Sequence, residues 1–430
     1  MKHIVIATVG SLGDLFPFLA VGQVLRRRGH RVTVATHAVH RDMVVQAGLA
    51  FHDASGMPEP DDREAFTARA FHPWHGPAFV VRDFAAADVR ASYQRLLPLC
   101  TTADLLVTST LAFAGQILGE TFEAAGRLQW RSALLAPASF LSVHDMPATG
   151  LAAVDVPVRA SPLAARTLQW LARRVTHGWT EPVRQFRREL GLAPESPRGD
   201  PFHRGQHAPG GVLALYSEML GAPQPDWPPN VHVCGFARYA QPDHPDPALQ
   251  AFLDAGPPPL VFSLGSTAVH AGEAFLRDSL RAALSLGQRA VLFTGSPAMR
   301  ARLPPTLPET IHCVDYAPHA ALFPRAAVVV HHGGIGTSAE ALRAGVPMLV
   351  VPHGFDQPDN AVRLERIGVA EILPVSRYRA EPAAARLRRL LQPSYAARAA
   401  ACAERLRCDD GAARAADVIE AAWLTPARTR

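Results

Sequence analysis

Residues 331–347 read HHGGIGTSAEALRAGVP and follow an apolar run, AAVVV. Small residues between a strand and a helix let backbone N–H groups converge on an anion, and the positive end of the helix adds to the attraction. Gly333, Gly334 and Gly336 would allow close approach, Thr337 could cap the helix or donate to a phosphate, and His332 could donate from its ring. The same residues also suit a tight turn whose glycines only satisfy backbone geometry. A second glycine turn, GSLGDLFP at 10–17, carries Asp14. That aspartate either caps the following helix or offers a carboxylate at the ligand edge of a sheet.

These residues need elements to hold them. HIVIAT reads as a strand and PFLAVGQVLRRRG as a helix, with Pro17 in its opening turn and Gly29 at its stop; RVTVATH is a second strand. Strands joined through a helix imply a parallel unit. The pattern returns after residue 258 in PLVFSLGST, EAFLRDSLRAALSLG, RAVLFTG, AAVVV, SAEALRAG and VPMLVVP. The fold class expected is α/β, with two doubly wound Rossmann-like domains facing across a cleft. The boundaries expected are 1–222 for the first domain, 223–247 for a proline-rich linker and 248–405 for the second domain. Residues 406–430 should form a C-terminal helix packing back on the first domain. Residues 55–80, rich in His, Pro and Phe, read as a long loop with short helices, the kind that carries function.

Composition narrows the possibilities further. With 48% hydrophobic and 19% charged residues the chain reads as globular rather than disordered. The net charge of +5 comes from arginines scattered among Asp and Glu, with Lys2 the only lysine. That argues for solvated helix faces and against a nucleic-acid partner. Five cysteines without a CxxC pair argue against a disulfide framework or zinc site and suit a reducing, cytoplasmic setting. No apolar run reaches the ~20 residues of a membrane span, which leaves peripheral contact as the only membrane association expected. The spacing in GSLGD and the strand-ending His37 do not fit a dinucleotide dehydrogenase.

Upstream of the 331–347 turn stands DYAPH, residues 315–319, and downstream HGFDQPDN, residues 353–360. In this order the segments resemble the donor-binding signature of the inverting nucleotide-sugar glycosyltransferases that include plant and bacterial natural-product enzymes. GSLGDLFP, RGHRV and GGIG are similar in particular to the bacterial branch containing the rhamnosyltransferase of rhamnolipid synthesis. The resemblance implies that Tyr316 stacks on the base, backbone groups of Ala317 read its edge, and His319 belongs to the same donor motif. It implies that Glu340 accepts from ribose hydroxyls and that Asp356 and Gln357 hold the sugar. His332 and the loop N–H groups would stabilise the departing diphosphate, with Ser266 and Thr267 as a second phosphate contact. Spacing to Glu340 favours His332 over His331 for that role. Where plant relatives have a histidine, this chain has Asp14, which would be the general base, with His72, His75 and His144 in reserve.

The aromatic segments FHPWHGPAFVVRDF and PASFLSVHDMP point to a hydrophobic acceptor, such as a phenolic natural product or a hydroxy-fatty-acid lipid. Gly13, Phe71, Trp74, Phe79, Phe140, His144 and Met146 are the candidate acceptor contacts, although such aromatics also serve as ordinary core. No cofactor is expected beyond the co-substrate, a UDP- or dTDP-sugar; Glu340 suits a ribose cis-diol and so leans towards UDP-glucose over dTDP-rhamnose. No DxD occurs, so helix dipole and histidine would do the work of a metal on the diphosphate. A nucleotide-sugar 2-epimerase and a non-catalytic partner protein are the competing readings.

Overall fold

The computed structural model describes residues 1–57, 62–72, 75–193, 199–240, 246–265, 272–421 and 423. Two fully parallel sheets organise the chain. The first has seven strands in the order β3-β2-β1-β4-β5-β6-β7: β1 His3–Ala7, β2 Arg31–Thr36, β3 Ala50–Asp53, β4 Leu105–Thr108, β5 Gln129–Leu134, β6 Val212–Ala214 and β7 Val231–Val233. The second has six in the order β10-β9-β8-β11-β12-β13: β8 Leu260–Ser263, β9 Ala290–Phe293, β10 Ile311–Val314, β11 Val328–His331, β12 Met348–Val350 and β13 Ala370–Ile372. In each, the strand order reverses beside the first strand, at β1/β4 and at β8/β11. Such reversals open a crevice at the carboxyl ends of the strands.

Sheets covered on both faces need continuously apolar strands. In β1, Ile4 and Ile6 join one core cluster while Val5 and Ala7 join the other; in β11, Val328 and Val330 divide from Val329 in the same way. One cluster belongs to both sheets, running from Leu134, Val212 and Ala214 to Val261, Val329 and Val350. The two halves are therefore joined by apolar packing as well as by the chain.

Helix α1, Leu12–Arg27, starts five residues before the proline that was expected to open it. Ser11 caps it, and Asp14 sits in its first turn, so the Asp14 turn is part of the helix rather than a loop ahead of it. Pro17 lies inside and removes the N–H that would bond the Gly13 carbonyl. Helix α2, Ile335–Ala344, carries the 331–347 motif and ends on left-handed Gly345. Helix α3, Gln357–Arg366, begins at the Asp356–Gln357 pair. The proline-rich stretch contains β7, an edge strand of the first sheet.

The chain returns to the first sheet at its end. Helix α4, Pro393–Leu406, packs Ala399, Cys402 and Leu406 into the cluster shared by the sheets. Helix α5, Gly411–Ala421, puts Ala412, Ala415, Ala416 and Ile419 against α1. Arg28 then reaches Asp417 at 2.7 Å and Glu420 at 2.6 Å. Ile419 is fully buried. Replacing it with Ala should cost about 2–5 kcal/mol and lower the thermal midpoint, as scanning calorimetry would show.

Candidate active site

A cavity of about 1000 Å³ lies between the carboxyl ends of the sheets. Thr8, Gly10, Ser11, Gly13 and Asp14 line it from the first sheet; Ser263, Gly265, His332, Gly334, Gly336, Thr337, Glu340, Asp356 and Gln357 line it from the second. Three segments distant in sequence, DYAPH, the glycine turn and HGFDQ, thus meet in one space with the Asp14 turn opposite.

The histidine pair resolves into two different jobs. His331 ends β11, is fully buried, and accepts the Gly333 N–H on Nδ1 at 3.1 Å. His332 faces the cavity. Its ring occupies a slot between two glycines: a Cβ on Gly265 would stand 2.5 Å from Cε1, and one on Gly334 2.4 Å from Nε2. Burial pushes the His332 pKa down to about 3, so near neutrality the ring offers a hydrogen bond rather than a positive charge. Gly333 does not line the cavity, contrary to expectation; its N–H serves His331, and a Cβ there would strike Val350 and the Gln357 carbonyl. Ser266 and Thr267 lie outside the described residues.

Tyr316 lines the cavity with 57% of its surface exposed, beside buried Ala317. The His319 ring stacks on Phe323 at 4.4 Å, and burial lowers its pKa to about 4. Glu340 faces Arg238, whose Nε stands 3.4 Å from Oε1. Burial raises the Glu340 pKa, while Arg238 and Arg343 oppose the rise. Arg238 comes from the stretch that reads as linker, so nothing in its local sequence marked it as a cavity residue.

Asp356 accepts from Asn360 Nδ2 at 2.7 Å. Burial raises its pKa to about 6; the Asn360 bond works against the rise and the negative charge of Asp14 across the cleft adds to it. Gln357 Oε1 accepts from the backbone of His353 at 2.8 Å and of Gly354 at 3.2 Å, which leaves its amide nitrogen to donate.

Asp14 Oδ2 accepts from Ser11 N at 2.8 Å and Ser11 Oγ at 3.0 Å. These bonds make Asp14 a capping-box residue, and the same side chain lines the cavity, so the two readings of its role are compatible. Gly10, at φ +145°, is needed beside it: a Cβ there would lie 2.3 Å from Oδ2. Burial raises the Asp14 pKa, against the Ser11 bonds and the nearby His40. His40, bonded through Nε2 to the Gly10 carbonyl at 3.1 Å, and His37 line the cavity. His72 and His75 stack on each other at 4.9 Å and do not line it.

The cavity has an apolar wall, made only in part of the residues expected to touch an acceptor. Gly13 and Phe71 line the cavity; Trp74 lies outside the described residues. Phe79 does not line it, because its ring packs on Phe66 and under Arg69. Phe140 does not either, being buried and stacked on Trp227 at 3.9 Å. His144 and Met146 are drawn away with their loop, which Ser142 ties to Asp226 and Asp145 ties to Arg363. Phe66, Val80, Phe84, Leu96 and Leu111 form the wall instead. Phe355 lines the cavity from the second sheet, beside Asp356 and Gln357, at φ +57°, a left-handed conformation that costs a non-glycine residue about 1–2 kcal/mol.

Two parallel α/β halves whose strand carboxyl ends face one cleft define a fold of the GT-B type. Residues 4–74 match the glycosyltransferase family 28 N-terminal domain, and 293–419 the erythromycin biosynthesis protein CIII-like C-terminal domain. An O-mycaminosyltylonolide 6-deoxyallosyltransferase of Streptomyces fradiae is 34% identical, with 97% of both chains covered. A sterol 3-beta-glucosyltransferase of Arabidopsis thaliana is 29% identical over 97% of this chain and 67% of its own. The crystal structure of the glycosyltransferase VinC in complex with dTDP superposes with a TM-score of 0.65 at 21% identity, covering 98% of this chain and all of that one. The chain belongs to the nucleotide-sugar glycosyltransferase family.

The raised pKa of Asp356 has a consequence for stability. A carboxyl whose folded pKa exceeds its unfolded value stabilises the fold at low pH and loses that contribution as pH rises through the folded value, here about 6. Asp356→Asn should therefore raise the folding stability at pH 8 by on the order of 1 kcal/mol, seen as a higher thermal midpoint, and leave it nearly unchanged at pH 4. Thermal melts at the two pH values test this.

Proposed function

We propose that this protein transfers a hexosyl group, with inversion, from a nucleoside diphosphate sugar to a hydroxyl of a hydrophobic small-molecule natural product. The observation that carries the reading is the single cavity lined by Asp14 from one sheet and by His332, Glu340, Asp356 and Gln357 from the other. Asp14 takes the acceptor proton as the hydroxyl oxygen bonds to the anomeric carbon. The bond from that carbon to the phosphate oxygen breaks, and the diphosphate leaves towards His332 and the amino end of α2. Burial suits Asp14 to the task, because a carboxyl pushed above its ordinary value is a stronger base.

A dTDP-linked deoxyhexose is the donor favoured here, supported by the 6-deoxyallosyl group named for the relative from Streptomyces fradiae and by the dTDP bound to VinC. This reverses the lean towards UDP-glucose that Glu340 alone suggests, and the Arg238 contact already engages that carboxylate. The apolar wall of Phe66, Phe84, Leu96 and Leu111 suits a macrolactone, polycyclic or lipid acceptor.

Incubation of dTDP-deoxyhexoses and UDP-glucose with such acceptors, read by product mass and anomeric configuration, tests the reaction; retained configuration would overturn the inverting mechanism. In the productive pair, Asp14→Asn should lower kcat by about 10²–10⁴-fold with donor affinity unchanged. The wild-type rate should rise with pH as Asp14 ionises, at a pH above that of an ordinary aspartate, and the variant should lack this limb. Near-normal turnover by the variant would remove Asp14 from the mechanism. EDTA should leave the rate unchanged, and loss of activity restored by magnesium would contradict the metal-free reading.

A further inference from the structure

Phe355 combines three features that ordinary packing does not require. It holds a left-handed backbone at φ +57°, one of two non-glycine residues with positive φ among the described residues. The residue is 42% exposed and lines the cavity immediately before Asp356 and Gln357. It also meets Phe71 of the opposite half edge-on, with ring centroids 5.3 Å apart and planes at 86°. Strain retained by an exposed aromatic at a cleft calls for a role in the cleft. With this backbone the side chain lines the cavity beside Asp356 and Gln357.

We propose that Phe355, backed by Phe71, is the specificity-determining wall of the donor-sugar site, selecting sugars that are deoxygenated at C6. The inference rests on the reading of this cavity as a nucleotide-sugar site. Asp356 and Gln357 are adjacent and suit the contiguous ring hydroxyls of a hexose. The exocyclic C6 group lies outside that set and would meet the phenyl ring. A methyl there gains apolar contact with Phe355. A hydroxymethyl loses water and finds no hydrogen-bond partner in either phenyl ring, which disfavours it by up to about 100-fold. Phe66 and Phe84, themselves edge-on at 5.6 Å, line the same cavity from the first half and continue its apolar surface.

The experiment compares dTDP-glucose with dTDP-6-deoxyglucose by titration calorimetry, which needs no acceptor, using dTDP itself as the control ligand. Wild type should bind the 6-deoxy sugar about 10–100-fold more tightly than the hexose. Phe355→Asn keeps a residue that tolerates the left-handed backbone and removes the ring. It should bring the two donors within about threefold of each other without lowering the thermal midpoint, while dTDP binds as in wild type. Equal affinities in wild type, or an unchanged ratio in the variant, would overturn the assignment while leaving the transferase reading intact. Failure of dTDP to bind wild type would overturn that reading and this one together.

Discussion

Arg363 is the side chain on which the geometry of the cleft depends. It is 2% exposed, on α3, nearly two helix turns beyond Asp356 and Gln357. Nε donates to Asp359 at 2.7 Å, and Nη1 to Asp145 and to the Leu220 carbonyl at 2.8 Å, both in the other half. Asp359 in turn accepts from the Ala148 N–H at 3.0 Å. A buried guanidinium is tolerable only when its donors are paired in this way, and removing one partner leaves a charge stranded in the interior. The network therefore fixes the start of α3 against the first sheet. It also explains why the loop around His144 and Met146 lies at the interface and not at the acceptor wall.

Burial then sets the electrostatics of the space so created. His319, His331 and His332 are all held neutral by loss of water, and Asp14, Asp356 and Glu340 are all pushed towards protonation. Charge on these six groups is thus expensive, and in the proposed reaction a diphosphate would find its attraction in backbone N–H groups, the α2 amino end, Arg238 and Arg343. A site of this kind holds few mobile charges to rearrange when a leaving group develops its own.

Much of this was legible in the chain. Apolar runs followed by glycine turns gave the parallel units, because strands buried on both faces leave an unmistakable pattern, and the order DYAPH, HHGGIG, HGFDQ marked three segments that meet at one cavity. Contacts made at long range were not legible. Arg238 lies among prolines in a segment with linker composition, and His40 follows a strand without any motif; both become cavity residues only through the fold. The aromatics misled for a related reason. Phe79 and Phe140 are as apolar as Phe66 and Phe84, and composition does not reveal which face of a short helix turns inwards. Asp14 divided the alternatives wrongly, since capping a helix and facing a cleft are compatible when the cap lies at the sheet edge.

The route of the backbone between the two sheets has a mechanical meaning. The chain crosses once after β7 and returns once between α4 and α5, and both passages go through one spot. There a Cβ on Gly411 would stand 2.3 Å from the Gly235 carbonyl oxygen, and Asp409 meets the Phe236 N–H at 3.4 Å. The Asp409 and Arg414 side chains pack on Gly235 at the same spot, so the outgoing and returning passages of the chain are fastened to each other there. Two backbone passages held at one point limit how far the halves can part on that side of the cleft.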